Sequence, residues 1–214
     1  LASNGDENWL QSGWFGGNLR TLNITGEAAL YIEEDLGASG PSGSENSFAQ
    51  GRPATIDASG NTGGVELTLN NHGERPSDVV EFLGTNAGDS FTSEGSQAVE
   101  ITGGSGDNIF DTAGTDLVTI TSRARPDDEM TSVGSESVTI DAGDGENEIL
   151  ASAQEIRITT GGGDDQLVLA GTGGATDDGG GATGLNLMLI LDDSGSMGGA
   201  RLAALQAGIL GMLD

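Results

Sequence analysis

Between residues 79 and 170 the chain sets branched apolar residues against polar ones in short alternating runs. Val99-Glu100-Ile101, Val118-Thr119-Ile120, Val138-Thr139-Ile140 and Ile156-Arg157-Ile158 each turn their apolar members to one side. A period of two is the signature of a β-strand with one buried face. The first residues of these runs lie 19, 20 and 18 positions apart. A second register keeps step with the first. Five turns carry an acidic or amide residue two positions before a large apolar one: Asp89, Asn108, Asp128, Asn147 and Asp165, at spacings of 19, 20, 19 and 18. Two registers advancing together mark an internal repeat. Each repeat of about 19 residues holds two short strands and two turns, which is one coil of a parallel β-solenoid. A single coil is too thin to bury its own inner side, so coils must stabilise one another by stacking.

Other segments extend this all-β reading. Leu22-Asn23-Ile24-Thr25, Thr55-Ile56-Asp57-Ala58 and Val65-Glu66-Leu67-Thr68-Leu69 look like further strands at irregular spacing. Residues 19–78 are therefore expected to form degenerate coils, with Gly37 to Gly51 as a loop insertion, and 79–170 the regular solenoid. Residues 1–18, with Trp9, Trp14 and Phe15, read as an N-terminal cap or the end of a preceding domain. Residues 171–184 are a Gly/Thr/Asp linker. Residues 185–214 open with an apolar run, Leu185 to Leu191, and continue into an expected helix from Ala200 with Leu202, Leu205, Ile209 and Met212 at helical spacing. The chain begins at Leu1 and stops inside an apolar segment, and is expected to be cut from a longer protein.

Composition narrows the function. The 214 residues include 38 Gly, 4 Pro and no Cys, and 7 basic residues, all Arg, stand against 34 acidic ones for a net charge of −27. No basic stripe exists to displace phosphate counterions, so nucleic-acid binding is excluded. A disulfide scaffold needs cysteines. A membrane-spanning helix needs about 20 continuous apolar residues, and the longest apolar strip is far shorter. The glycines lack the three-residue period of collagen. Only 4% of residues are aromatic, and self-repulsion at −27 opposes compaction unless cations neutralise it. The charge therefore points either to disorder, which the internal repeats argue against, or to a fold held by metal.

The turns at 103–111, 142–150 and 160–168 resemble the nonapeptide of repeats-in-toxin proteins, Gly-Gly-x-Gly-x-Asp-x-apolar-x. That resemblance implies a parallel β-roll with calcium held between successive turns. It makes Asp89, Asp107, Asn108, Asp128, Asp144, Asn147, Asp164 and Asp165 the calcium-ligand candidates, with Glu146 beside them. The chemistry agrees, because calcium takes six to eight oxygen ligands in adaptable geometry. Two of the five sixth positions are Asn, which brings a carbonyl but no charge, and Arg125-Pro126 stands where glycines are expected. One partial calcium column is therefore expected, strongest between the turns at 84–91 and 103–110 and between those at 142–149 and 160–167.

At the C-terminal end, a strand followed by Asp192-Asp193-Ser194-Gly195-Ser196 and a helix resembles the opening of a von Willebrand factor A domain, a truncated α/β strand–helix unit. Asp192, Ser194 and Ser196 match that family's metal-ion-dependent adhesion site, so magnesium is the cofactor implied for the complete domain. About 30 residues of such a domain are present, leaving this metal site incomplete.

No catalytic constellation stands out. His72 is the sole histidine, no Gly-x-Ser-x-Gly occurs, and Glu33-Glu34-Asp35 reads as a solvated edge. The expectation is a non-enzymatic, calcium-binding, adhesive or structural segment of a large secreted bacterial surface protein. Its partner would be a protein or cell-surface ligand bound through the complete A domain, with self-assembly also open. Two other readings stay open: the export and folding module of a secreted toxin or enzyme, and a surface-layer lattice subunit.

Overall fold

The structure is a computed structural model that describes residues 1–10, 19–36, 53–69, 78–94, 98–112, 115, 117–122, 127–171 and 186–190, the side chains of 33–36, 170, 171 and 186–190 excepted. It is an all-β parallel solenoid with coils of about 20 residues. The first coils are β1 (Ala2–Ser3) with β2 (Glu7–Leu10), and β3 (Thr21–Gly26) with β4 (Ala29–Leu36). Above them stand β5 (Ala54–Asn61) with β6 (Val65–Leu69), β7 (Val80–Leu83) with β8 (Ser90–Ser93), and β9 (Val99–Thr102) with β10 (Ile109–Asp111). The chain continues through β11 (Leu117–Thr121), β12 (Glu129–Asp141), β13 (Glu148–Thr159), β14 (Gln166–Gly171) and β15 (Asn186–Ile190).

Two faces result, and every pairing between coils is parallel. One face runs β1-β3-β5-β7-β9-β11 and continues through the second halves of β12 and β13 to β15. The other runs β2-β4-β6-β8-β10 and continues through the first halves of β12 and β13 to β14. The faces join because β12 and β13 stay paired around the corner. Gly134 takes a positive φ of 85° there, and the register shifts between Val133 and Ser135. A tight corner of this kind is a bulge that bends the strand rather than a separate loop. The second turn expected in each repeat is accordingly absorbed here into the two longest strands, Glu129–Asp141 and Glu148–Thr159.

The period of two decides what lies inside. On the first face Ile56, Phe82, Ile101, Ile120, Ile140 and Ile158 stack in one register column, all buried. On the second, Leu67, Phe91, Phe110, Met130 and Ile149 do the same. Phe82 and Phe91 stack across the interior with ring centroids 4.8 Å apart. Burying each such side chain contributes roughly 1.5–3 kcal/mol. The polar members of the runs, Glu100, Thr119 and Arg157 among them, face outward. Trp9 is 53% exposed and stacks on Tyr31 at 5.1 Å. No described helix is long and apolar enough to cross a membrane.

The glycine-rich corners are dense. A Cβ on Gly104 would fall on the Thr85 carbonyl of the coil below, and one on Gly163, whose φ is +146°, on the Gly145 carbonyl. Backbone from successive coils meets here with no space for a side chain. Gly104→Ala is expected to lower stability by about 2–4 kcal/mol, read as an earlier midpoint in urea unfolding, whereas Gly134→Ala, whose Cβ meets nothing within 4 Å, should cost only the backbone strain of its positive φ, about 1–2 kcal/mol.

Candidate functional site

Strand parity also decides where the sixth-position residues point. Phe91, Phe110, Met130 and Ile149 face the core, so the residue two positions before each faces the same way. Asp89, Asn108, Asp128 and Asn147 are therefore buried, with exposures of 3, 1, 2 and 1%. Asp165, at the last described turn, is half-buried.

The five residues form one hydrogen-bonded column running through the turns. The backbone N–H of Asp89 donates to Asn108 Oδ1 at 3.1 Å, that of Asn108 to Asp128 Oδ1 at 2.8 Å, and that of Asp128 to Asn147 Oδ1 at 3.2 Å. Asn147 N–H completes the series on Asp165 Oδ1 at 3.1 Å. The column starts at Val65, whose N–H donates to Asp89 Oδ1 at 2.9 Å. A buried backbone N–H without an acceptor is costly, and each coil meets that need with the side chain of the next.

The alternation of Asp and Asn is a matching of donors to acceptors. An ionised carboxylate only accepts, while a carboxamide also donates. Asn108 Nδ2 donates to Asp128 Oδ1 at 2.9 Å, and Asn147 Nδ2 to Asp165 Oδ1 at 2.8 Å. Each Asn thus binds the carboxylate above it, and Asn108 separates the buried charges of Asp89 and Asp128 by a whole intervening coil. Thr85 completes the shell of Asp89, donating its N–H to Oδ2 at 2.6 Å and its hydroxyl to Oδ1 at 2.9 Å. Asp128 is less well served. Among the described residues its Oδ2 and the Ser122 hydroxyl are the buried side-chain oxygens that make no hydrogen bond.

Burial pushes the Asp89 carboxyl above the ordinary carboxylate range, against the donors from Thr85 and Val65. Asp128 is raised for the same reason. The nearby Ser122 hydroxyl and the Asn108 donors pull it down, and the Asp107 charge adds to the rise.

A second row lies one residue earlier in each turn and faces outward. Asp107, Asp127, Glu146 and Asp164 occupy equivalent positions on successive coils, and all are exposed. Asp127 N–H donates to Asp107 Oδ1 at 3.2 Å, and Glu146 N–H to Asp127 Oδ1 at 2.8 Å. Asp144, also exposed, accepts from Gly162 N–H at 2.8 Å. Asp127, Asp144 and Glu146 line an open cleft with Gly145, Gly162 and Gly163. Among the described residues, no three carboxylates or histidines close on a common point as a ready-made ion site.

The eight calcium candidates thus fall into two groups. Asp89, Asn108, Asp128, Asn147 and Asp165 belong to the inner column; Asp107 and Asp164 belong to the outer row, with Asp144 beside it. Asp127, Thr85 and Ser122 belong to the arrangement without matching the nonapeptide. Parity could have found Asp127, since it stands one residue before Asp128 as Asp107 does before Asn108. The magnesium candidates Asp192, Ser194 and Ser196 lie outside the described residues, as do His72, Trp14 and Phe15. Family models, curated proteins and solved structures offer no match to this chain.

The raised carboxyls set the sign of a pH effect. A folded-state pKa above the unfolded one means the native state holds more protons, so stability is complete at low pH and falls as pH rises through the folded value. The melting temperature is expected to rise as pH is lowered from neutrality towards the ordinary carboxylate range. Asp128→Asn keeps the Oδ1 acceptor and removes the buried charge. It should raise stability at pH 7 by about 1 kcal/mol and flatten the pH dependence, both measured by thermal unfolding across that range.

Proposed function

We propose that the chain is a structural, non-catalytic segment of an extracellular or cell-surface protein, a stiff acidic solenoid whose turn edge takes up calcium. The observation that carries this reading is the outer row, with a carboxylate on each of four successive coils at the spacing of adjacent strands, about 4.8 Å. Like charges stacked at that distance repel, and a divalent cation between coils would turn repulsion into a bond.

The donor set suits calcium better outside than inside. In the inner column both oxygens of Asp89, and Oδ1 of Asn108, Asp128, Asn147 and Asp165, already accept hydrogen bonds. Only Asp128 Oδ2 is left unengaged within the buried part of that column. Asp107, Asp127 and Asp144 each accept one backbone N–H on Oδ1, but they and Glu146 and Asp164 are exposed carboxylates beside glycine-rich backbone, open to an ion from solvent. Such hard oxygen donors, completed by carbonyls and water, are the ligands calcium prefers. Bound calcium would supply charge neutralisation and links between coils, and so couple folding to the arrival of the ion. The repeats-in-toxin resemblance supports the same conclusion and extends it to folding after export.

The finer reading concerns the C-terminal end. The match of Asp192, Ser194 and Ser196 to a metal-dependent adhesion site supports a role for the solenoid as a stalk leading into a magnesium-dependent adhesion domain. Its partner would be a protein or cell-surface ligand offering a carboxylate to the ion.

Thermal unfolding at matched ionic strength tests the calcium reading. With a Kd on the order of 10⁻⁴–10⁻³ M, 10 mM calcium should add about 1.4–2.7 kcal/mol per site by mass action, seen as a rise of several degrees in Tm beyond that given by sodium chloride. Asp127→Asn with Glu146→Gln should remove most of this increment while leaving the calcium-free Tm unchanged or higher. Equal curves in calcium and sodium would leave a metal-free rod held by its inner column.

A further inference from the structure

The second face carries an outward column of side chains that is interrupted partway along the solenoid. From the first coil it reads Trp9, Tyr31, Glu66, Ser90, Ile109 and Glu129, each opposite the next in parallel register. Tyr31 and the half-exposed Ile109 thus stand three rungs apart, with Glu66 and the small Ser90 between them. Two positions earlier in each turn, the outer row of carboxylates ends at Asp107, and the two coils below carry Gly88 and Gly64 at that place. A Cβ on Gly64, whose φ is +91°, would fall on the Gly88 carbonyl, and one on Gly88 would fall on the Asp107 carbonyl. Side chains are therefore excluded from this stretch of the corner. What remains is a notch of about 230 Å³ over bare backbone, lined by Tyr31, Ser90 and Ile109, the exposed Glu66 and Asp107, and the buried Asp89.

The lining selects a class of ligand. Trp9, from the coil on one side of Tyr31, stacks on its ring with planes 14° apart; the notch lies on the other side. Among the described lining residues three are carboxylates and none is basic. An aromatic face beside carboxylates, in a chain of net charge −27, attracts an organic cation. The carboxylates do not close on one point as a metal ion requires. A guanidinium suits the place, because its plane stacks on an aromatic ring while its N–H fork reaches a carboxylate. The volume is below the roughly 300–1,000 Å³ that encloses a whole small molecule, so it suits a side chain carried by a longer ligand.

Spacing defines that ligand further. Glu66 and Asp107 belong to coils two rungs apart, about 9.6 Å, beyond the span of one guanidinium. A polyproline-type extended chain repeats its side chains every three residues, about 9.3 Å. We propose that the notch binds an extended, arginine-bearing peptide segment of a protein partner. One guanidinium stacks on Tyr31 and pairs with Glu66; a second, three residues on, meets Asp107 beside the apolar Ile109. Glu129 and Glu148, exposed on the next two rungs of the same column, continue the acidic track. The site needs no calcium.

The test titrates fluorescently labelled peptides with the full chain in EDTA at fixed ionic strength, read by anisotropy. A peptide containing Arg-Pro-Pro-Arg is expected to bind roughly tenfold more tightly than its equally charged isomer with Arg-Arg-Pro-Pro, and roughly fivefold more tightly than Lys-Pro-Pro-Lys. Ser90→Tyr fills the notch from an outward position without altering charge. It and Glu66→Gln should each weaken binding roughly fivefold, whereas Glu148→Gln, outside the notch, should change it less than about twofold. Unaltered amide-exchange protection at Ile120 verifies that each variant keeps the solenoid. Equal affinity for the two arginine isomers, or indifference to Ser90→Tyr, would reduce the contact to net charge and overturn the site. Equal binding of the lysine peptide would overturn the stacking on Tyr31, and no binding at millimolar peptide would overturn the proposal outright.

Discussion

A coiled chain that turns a corner on every winding leaves a backbone N–H inside each turn, out of reach of the strand pairing. In this protein that amide is met by an Asp or Asn side chain from the next coil, five times in succession from Asp89 to Asp165. Much else depends on that one contact. It sets the distance from turn to turn and ties each turn to its outgoing strand. It also places two carboxylates where desolvation works against their charge. The column can be polar only because each residue in it answers a specific donor. Below it, at Val65 and Leu30, the same register position is apolar and the column stops.

The charge balance is thereby divided between two environments. Inside, Asp and Asn alternate, so buried carboxylates are never on adjacent rungs. Outside, one residue away, Asp107, Asp127, Glu146 and Asp164 occupy four successive rungs without such spacing, and of the five rungs of the column only that of Asp89 has a glycine, Gly88, there. The inner column is satisfied by the protein, apart from Asp128 and Ser122. The outer row accepts backbone N–H groups at Asp107 and Asp127 but keeps its carboxylates exposed to solvent and counterions.

The apolar interior plays a simpler part. It is a set of columns of Ile, Val and Phe, one residue deep on each face, and adding a coil extends it without widening it. An architecture of this sort has no closing element of its own, and its ends are where specific devices are required.

Periodicity carried much of this. The spacing of 18 to 20 residues in two registers and the alternation of Val99-Glu100-Ile101 determined the parallel coils and their inward faces, because stacked identical windings are the simplest way such a sequence can bury its branched residues. The turns were equally visible. What the linear pattern left open was the use of the polar residues within them. Asp and Asn two positions before an apolar residue suit an ion as well as a neighbouring amide, since both need an oxygen at the same place. Only the assembled coils decide which donor arrives there, because the partner of each Asx lies 18 to 20 residues away. The same holds for Asn186–Ile190: its composition demands burial, but the edge it occupies was chosen by the register of a strand some 30 residues earlier.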